Sequence, residues 1–304
     1  MRNDDGQKKG PPKQVLLPIL PVRSVRHRQR AMRSESGRLP SHIDVASDEV
    51  APLVGQGDVE LEVGILRNRL WQGRNHDRRA GHNLRATVHL QARSMLRADA
   101  PPHLQPLGET EFANGIAVMS ASGLYGKARV CAAIVGFADL TLGDAVRPVL
   151  ERHIALAGGT PEEGGRFRGV RQPLTWDPDI SLLNPAYPTT EDMMDLPAFR
   201  AGFAHLGRLG LSFDAWVFFH QLSKLADLAR RFPGTAFVLN HCGGVIGIRG
   251  YEGCRAEVFA QWKRGMFDLA RCPNVMVKLS GLGMRLTGFR FEEPRWMAKI
   301  TSTH

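Results

Sequence analysis

Two histidines in this chain follow apolar segments at points where a strand would end. His241 stands within 237–244 (FVLNHCGG), and His220 stands two residues past the segment 216–218 (WVF). Two imidazoles on neighbouring strands can share a divalent metal ion such as Zn²⁺ or Mn²⁺, which lowers the pKa of bound water and supplies hydroxide at neutral pH. Two ligands alone do not complete such a site.

Each of these residues also has a structural interpretation. The two glycines after His241 let the backbone turn closely over a site, which favours a functional role for this histidine. His220 is equally consistent with an imidazole that caps a following helix. Cys242 is interpreted as a small buried side chain, because nothing nearby marks it as a low-pKa nucleophile.

The elements that must position these side chains alternate along the chain from residue 81 onward. Segment 130–137 is a nearly continuous apolar run, which is typical of a strand covered on both faces. Pro148 and Pro197 fit the first turn of helices, where the missing N–H is not needed. The predicted strands are 84–91, 130–137, 167–172, 211–218, 237–241 and 275–281.

This alternation predicts parallel strands joined by helical crossovers, either in an open doubly wound sheet or in a (β/α)₈ barrel. No glycine-rich phosphate loop of either common type is present, which favours the barrel. In a barrel the chemistry lies at the carboxyl ends of the strands. The polar residues predicted at those ends are Gln91, Asp139, Arg171, Gln172, His220, His241 and Ser280.

Composition restricts the class of protein. A chain of 304 residues with 43% apolar content accommodates one large α/β domain or two small ones. No segment approaches the about 20 apolar residues that cross a bilayer, and 15–22 is broken by prolines and lacks a signal cleavage site. The four cysteines are interpreted as buried thiols in a reducing compartment. We therefore predict a cytoplasmic protein without a membrane segment.

The first 80 residues differ from the rest of the chain. They hold 15 Lys+Arg against 10 Asp+Glu and a single aromatic residue, Trp71, so they are poorly equipped to form a core. The stretch 23–33 (RSVRHRQRAMR) has the composition of a basic arm that binds nucleic acid through counterion release. A solvated, disordered tail is the alternative that we favour.

Seven segments, taken in order over residues 81–294, together resemble the amidohydrolase-related family of TIM-barrel hydrolases. The nearest branch is that of predicted metal-dependent hydrolases related to sugar lactonases. The segments are GHNLRATVHLQARSMLRADAP, MSASGLYG, IVGFADLTLGDAV, GRFRGVRQPLTWDPD, AFRAGFAHLGRLGLSFDAWVFFHQLSKLADLARRFP, VLNHCGG and NVMVKLSGLGMRLTGF.

The resemblance implies a (β/α)₈ barrel that hydrolyses a lactone, ester or amide bond of a small-molecule substrate. By position, His220 and His241 correspond to histidines of the family's fifth and sixth strands, and Arg171 to the end of its fourth. In the family these positions serve as metal ligands or, in metal-independent members, as acid/base and substrate-binding groups. Arg171 would hold a carboxylate or a developing oxyanion. A structural ion pair is the alternative for Arg171.

The chain also departs from the family pattern. The family opens with a His-x-His strand and closes with a strand that carries an Asp, and no His-x-His pair occurs anywhere in this sequence. Gln91 stands where close relatives have Glu. We therefore expect an incomplete barrel in which strands 2 to 7 are recognisable.

The domain boundaries follow from these departures. We predict a disordered or out-of-frame segment over 1–80, a barrel domain over 81–294 and a tail foreign to the family over 295–304. Alternatively, 59–66 (VELEVGIL) supplies a substitute first strand.

The predicted function is a hydrolase whose water is activated by a metal or by histidine. A catalytically inactive truncated relative is the main alternative, and a basic nucleic-acid-binding protein is less favoured.

Overall fold

The structure is a computed structural model, and it describes residues 85–290. Four predictions lie outside the described residues. They concern the segment 1–80, its basic arm 23–33, the substitute strand 59–66 and the tail 295–304.

Strands and helices alternate throughout the described residues, as the periodicity predicts. The strands are β1 (Ala86–Leu90), β2 (Arg129–Gly136), β3 (Phe167–Pro173), β4 (Ser212–Trp216), β5 (Phe237–Leu239) and β6 (Val275–Val277). The helices of ten residues or more are α1 (Leu107–Ala121), α2 (Arg147–Leu156), α3 (Pro197–Arg208), α4 (Leu222–Arg231) and α5 (Arg255–Ala270).

The six strands form one parallel sheet, and their order in the sheet is their order in the sequence. A doubly wound sheet reverses its strand order at a switch point, whereas a barrel adds each new strand on the same side. The predicted fold class is therefore confirmed. The described residues form an incomplete (β/α)₈ TIM-barrel-like α/β fold with six strands.

The outer face of the sheet packs against the helices. Phe213 of β4 pairs with Val170 of β3 and with Phe237 of β5, so these three side chains share one face. Phe203 of α3 covers them, with its ring centroid 5.0 Å from that of Phe213 and 5.2 Å from that of Phe237. Because side chains alternate along a strand, the residue after each of these points into the barrel.

Three strands, β4, β5 and β6, end at least two residues before their predicted ends. β4 ends at Trp216 because the chain then enters a 3₁₀ turn at Phe219–Gln221. β5 ends at Leu239 because the backbone becomes left-handed at His241, where φ is 52°. β6 ends at Val277, four residues before the left-handed Gly281. Each strand therefore stops close to a residue of the predicted site.

One burial prediction is wrong, namely that all four cysteines are buried. Cys254 precedes α5 and is exposed, whereas the other three cysteines are buried. α5 packs against α4 where Gly265 lies against Leu222, since a Cβ on Gly265 would lie 2.5 Å from the Cβ of Leu222.

His153 of α2 is a buried histidine behind β2. Its Nε2 lies 3.0 Å from the carbonyl oxygen of Phe137, and its Nδ1 lies 2.8 Å from Thr110 Oγ1. A carbonyl only accepts, so Nε2 carries the proton and the threonine hydroxyl donates to Nδ1. Burial lowers the pKa of this imidazole to about 4.

This histidine makes folding sensitive to acid. The unfolded chain takes up the proton near pH 6.5 and the folded chain only near pH 4, so we expect the free energy of unfolding to fall across that interval. The full loss is about 3 kcal/mol. Glu109 and Arg97 act on this imidazole in opposite directions. Urea denaturation at pH 7 and pH 4.5 measures the change.

His153→Gln is the matched control, since glutamine keeps one donor and one acceptor and does not titrate. Its stability should depend less on pH over the same interval. An identical pH dependence in the two proteins would mean that other groups carry the acid sensitivity.

Candidate active site

His220 lies in the 3₁₀ turn that follows the carboxyl end of β4, and it is hydrogen-bonded to a buried carboxylate. Its Nε2 donates to Asp177 Oδ2 at 3.1 Å, and only 2% of the Asp177 side chain is exposed. Among the described residues Nδ1 of His220 has no hydrogen-bond partner. A carboxylate that holds one ring nitrogen fixes the tautomer and leaves the other nitrogen as a base.

Two further donors support Asp177. The hydroxyl of Tyr251 donates to Asp177 Oδ2 at 2.7 Å, and the backbone N–H of Asp179 donates to Oδ1 at 2.9 Å. Burial, followed by the hydrogen bond to Asp177, raises the pKa of the Tyr251 phenol, so this group remains a proton donor. Asp177 therefore has a fixed orientation toward His220.

Gln221, the neighbour of His220, holds this turn against the loop after β3. Its Nε2 donates to the carbonyl of Leu174 at 2.8 Å. Its Oε1 accepts from the N–H groups of Phe218 and Trp176 at 3.0 and 3.1 Å. The sequences after β3 and β4 are thus joined at the point where Asp177 and His220 meet.

His241 follows β5 by two residues and begins a left-handed turn. The φ angles of His241, Cys242, Gly243 and Gly244 are all positive, so the turn starts at the histidine itself rather than at the two glycines. A Cβ on Gly244 would lie 2.2 Å from the carbonyl oxygen of Val217, which shows why glycine is needed there.

The imidazole of His241 is packed between residues of neighbouring strands. Nδ1 lies 3.1 Å from Ser280 Oγ, and the ring meets Trp216 edge-on at 87° with centroids 4.8 Å apart. A Cβ on Gly281 would lie 2.4 Å from the Cβ of His241, so the β6 loop approaches this histidine closely. His241 thus lies at the barrel mouth, as the sequence predicts for a strand end.

Arg171 of β3 is buried on the inner face of the sheet, and 7% of it is exposed. Its Nη1 donates to the carbonyl of Gln91 at 3.2 Å, while its Nε is buried without a hydrogen-bond partner among the described residues. In this part of the chain Arg171 forms no salt bridge. The guanidinium therefore has capacity for an anion.

The polar side chains at the carboxyl ends of the first three strands form hydrogen bonds with the loops that follow these strands. Gln91 donates to the hydroxyl of Tyr187, whose ring lies under the guanidinium of Arg93 at 5.3 Å. Gln172 accepts from the N–H of Leu140 and donates to Asp139. Gln91 therefore lies beside Arg171 at the mouth, whereas Gln172 fastens the loop after β2.

Asp214 and Lys278 form an ion pair across the inner face, and neither was singled out from the sequence. Asp214 is adjacent to Arg171 in the register of β3 and β4, and 3% of its side chain is exposed. Lys278 follows β6 and its ammonium group contacts Asp214 Oδ2. The available signal was a charged residue inside each of two otherwise apolar predicted strands, 211–218 and 275–281.

The two predicted metal ligands each have a different polar partner. His220 is bound to Asp177 and His241 lies against Ser280, and the rings of Trp216 and Phe218 make contacts between them. Over residues 85–290 no three His, Cys, Asp or Glu side chains are grouped to hold a metal ion. These residues do not by themselves fit a divalent metal.

Asp177 and Tyr251 were missed as site residues by the sequence analysis. Asp177 lies in the stretch TWDPD, six residues past Arg171, and Tyr251 lies in the loop after β5. Their pairing with His220 depends on how three loops meet, so only an acidic residue beyond the third strand was visible beforehand.

Within residues 85–290 no helix has the length and apolarity of a transmembrane span.

Comparison with known proteins gives curated relatives and solved structures. The chain is 34% identical over 180 residues to an uncharacterized protein, y4mH, of Sinorhizobium fredii, covering 59% of this chain and 51% of that protein. It is 34% identical over 151 residues to an L-fucono-1,5-lactonase of Burkholderia ambifaria, covering 50% and 43%. The chain thus spans about half the length of these relatives.

Two solved structures are also similar. An amidohydrolase from Burkholderia multivorans with bound Zn matches at 25% identity and a TM-score of 0.44, over 66% of this chain and 70% of that one. A probable 2-pyrone-4,6-dicarboxylic acid hydrolase from Acinetobacter baumannii with bound citric acid matches at 13% identity and a TM-score of 0.41, over 70% and 60%.

A family model provides the assignment. The amidohydrolase model matches residues 121–302, which is more than half of the chain. The match includes β2 to β6 and both histidines of the barrel mouth. This protein belongs to the amidohydrolase family.

Proposed function

We propose that this protein hydrolyses a lactone or ester of a small molecule, with His220 as the general base. The observation that carries the proposal is the hydrogen bond from His220 to the buried carboxylate of Asp177. A carboxylate held in this way orients the imidazole and stabilises the imidazolium that forms when the other ring nitrogen takes a proton from water. The similarity to an L-fucono-1,5-lactonase supports a lactone as the first substrate to test.

The proposed reaction uses side chains of this chain. Nδ1 of His220 removes a proton from water as its oxygen attacks the carbonyl carbon. The buried guanidinium of Arg171 binds the oxyanion or a carboxylate of the substrate. His241 donates a proton to the leaving oxygen when the C–O bond breaks. The products are a carboxylic acid and a hydroxyl group, which for a lactone belong to one molecule.

Three features of the fold support these roles. All three side chains follow or end consecutive parallel strands, β3 to β5, so they belong to the carboxyl edge where barrel enzymes bind substrates. Arg171 has a buried nitrogen without a partner among the described residues. Trp216 and Phe218 supply apolar surface beside the two imidazoles. A divalent ion, Zn or Mn, remains part of the proposal only if residues outside 85–290 supply further ligands.

A substrate panel tests the proposal. The full chain is incubated with five- and six-membered lactones, aryl esters and amides, and acid release is followed by a pH indicator. Each reaction is run with Zn²⁺, with Mn²⁺ and with a chelator. We expect lactone or ester turnover that the chelator does not abolish. Folded protein that turns over none of these substrates under any condition contradicts the proposed function.

A further inference from the structure

Asn240 is buried at the carboxyl end of β5, directly before His241, and 1% of it is exposed. Its backbone is fully paired, since its N–H donates to the carbonyl of Ala215 at 2.9 Å and its carbonyl accepts from Gly243 at 3.0 Å. Its side chain is not. Both Nδ2 and Oδ1 are buried without a hydrogen-bond partner among residues 85–290.

The direction of this side chain follows from the strand alternation. Leu239 packs into the core behind the sheet, so Asn240 points to the opposite, inner face. Leu239 makes the last strand pairs, with Ala215 and Val277, and beyond them the N–H of Asn240 donates to the carbonyl of Ala215 and the N–H of Lys278 to that of Leu239, both at 2.9 Å. Asn240 therefore stands between Trp216 and Lys278 at the barrel mouth, beside the proposed hydrolytic residues.

An unpaired carboxamide in this position is unfavourable for folding. A buried amide without partners has lost its hydrogen bonds to water and gained none in return. Asn274 illustrates the usual situation in this chain, because its Nδ2 donates to three backbone carbonyls at 3.0 to 3.1 Å. A buried polar group that the fold does not use requires another explanation, and a ligand at the barrel mouth provides one.

We propose that Asn240 is a substrate-binding residue that recognises an α-hydroxy lactone by hydrogen bonds. A carboxamide presents one donor and one acceptor side by side. The carbonyl oxygen of such a lactone accepts from Nδ2, and the hydroxyl on the adjacent carbon donates to Oδ1. The inference rests on the proposed function for the reaction, and it adds which substrate groups are recognised and by which residue.

Access to Asn240 requires a neighbouring side chain to move. Trp216 is partly exposed, so its side chain can open the path, whereas Lys278 is held by its ion pair with Asp214. Once the ligand is bound, the pairing is sheltered from water, where hydrogen bonds discriminate most strongly between a matching and a non-matching ligand. Asn240 does not take part in proton transfer.

A matched pair of lactones tests the inference. We expect the wild-type chain to hydrolyse α-hydroxy-γ-butyrolactone at least tenfold more efficiently, in kcat/KM, than γ-butyrolactone. Asn240→Leu removes donor and acceptor at similar volume, so it should abolish this preference while its Tm stays equal to or above that of the wild type. Equal efficiency of the wild type on both lactones overturns the inference.

The stability measurement separates a binding role from a structural one. Asn274→Leu is the control, and we expect it to lower the Tm because three carbonyls lose their donor. If Asn240→Leu lowers the Tm as much as the control does, or fails to fold, Asn240 is structural and the inference is wrong.

Binding without turnover distinguishes this inference from the proposed function. If no lactone is hydrolysed, saturation-transfer NMR with the same two lactones measures whether the protein binds them and whether Asn240 sets the preference. A preference for the α-hydroxy lactone that Asn240→Leu loses supports the inference although the proposed function has failed. Equal signals in wild type and variant overturn it.

Discussion

Replacing His220 by alanine is expected to lower kcat/KM for the best lactone or ester substrate by about 10²–10⁴-fold. The reason is that no other group in contact with Asp177 Oδ2 can accept a proton from water, since Tyr251 is a donor there. The loss should appear mainly in kcat, because the base acts in the transition state. Circular dichroism of the variant checks that the fold is retained.

Asp177→Asn is the companion variant. The amide of asparagine carries no negative charge to stabilise the imidazolium of His220, so a large loss of kcat is expected here too. His103→Ala is the control, because this histidine is exposed in the 3₁₀ turn Pro102–Leu104 before α1. Activity of His220→Ala within threefold of that of His103→Ala would show that His220 is not the base.

Lys278→Met is expected to destabilise the protein by about 3–5 kcal/mol, because it leaves a buried carboxylate without its partner. Asp214 is 3% exposed in its side chain and its Oδ2 is bound to the ammonium group of Lys278. Urea denaturation at pH 7 measures the change in the free energy of unfolding.

The double variant Asp214→Leu/Lys278→Met is expected to recover most of this loss, because two apolar side chains replace the pair together. The exposed pair of Arg147 and Glu151 on α2 is the control, and Arg147→Met should change stability by less than about 1 kcal/mol. A loss in Lys278→Met no larger than in this control would mean that the inner-face pair is solvated.

Much of the fold could be predicted from the sequence because its signals are local. Pro197 marks the start of α3, and the apolar run of β2 marks a strand that is covered on both faces. The absence of a phosphate loop favoured a barrel, and the sequential strand order confirms it. The ends of β4 and β5 were predicted too late, since the left-handed turn at His241 leaves no mark in hydrophobic periodicity.

The candidate site was predictable only in part. A histidine or arginine at a strand end can be read from sequence, and Arg171 and His241 lie where such residues were expected. Whether an imidazole has a partner cannot be read in this way, since Asp177 is 43 residues from His220 and belongs to another loop. Asp214 and Lys278 are 64 residues apart and meet only through the register of β4, β5 and β6.

The sequence by itself determined which residues form strands and helices, because side-chain period and helix-start residues act over a few positions. It also determined that polar side chains end the parallel strands. Only the tertiary structure decided that His220 is paired with Asp177, that Asp214 neutralises Lys278 and that the Asn240 carboxamide is left unpaired. The physical reason is that hydrogen bonds act over about 3 Å, so they depend on how distant segments are brought together.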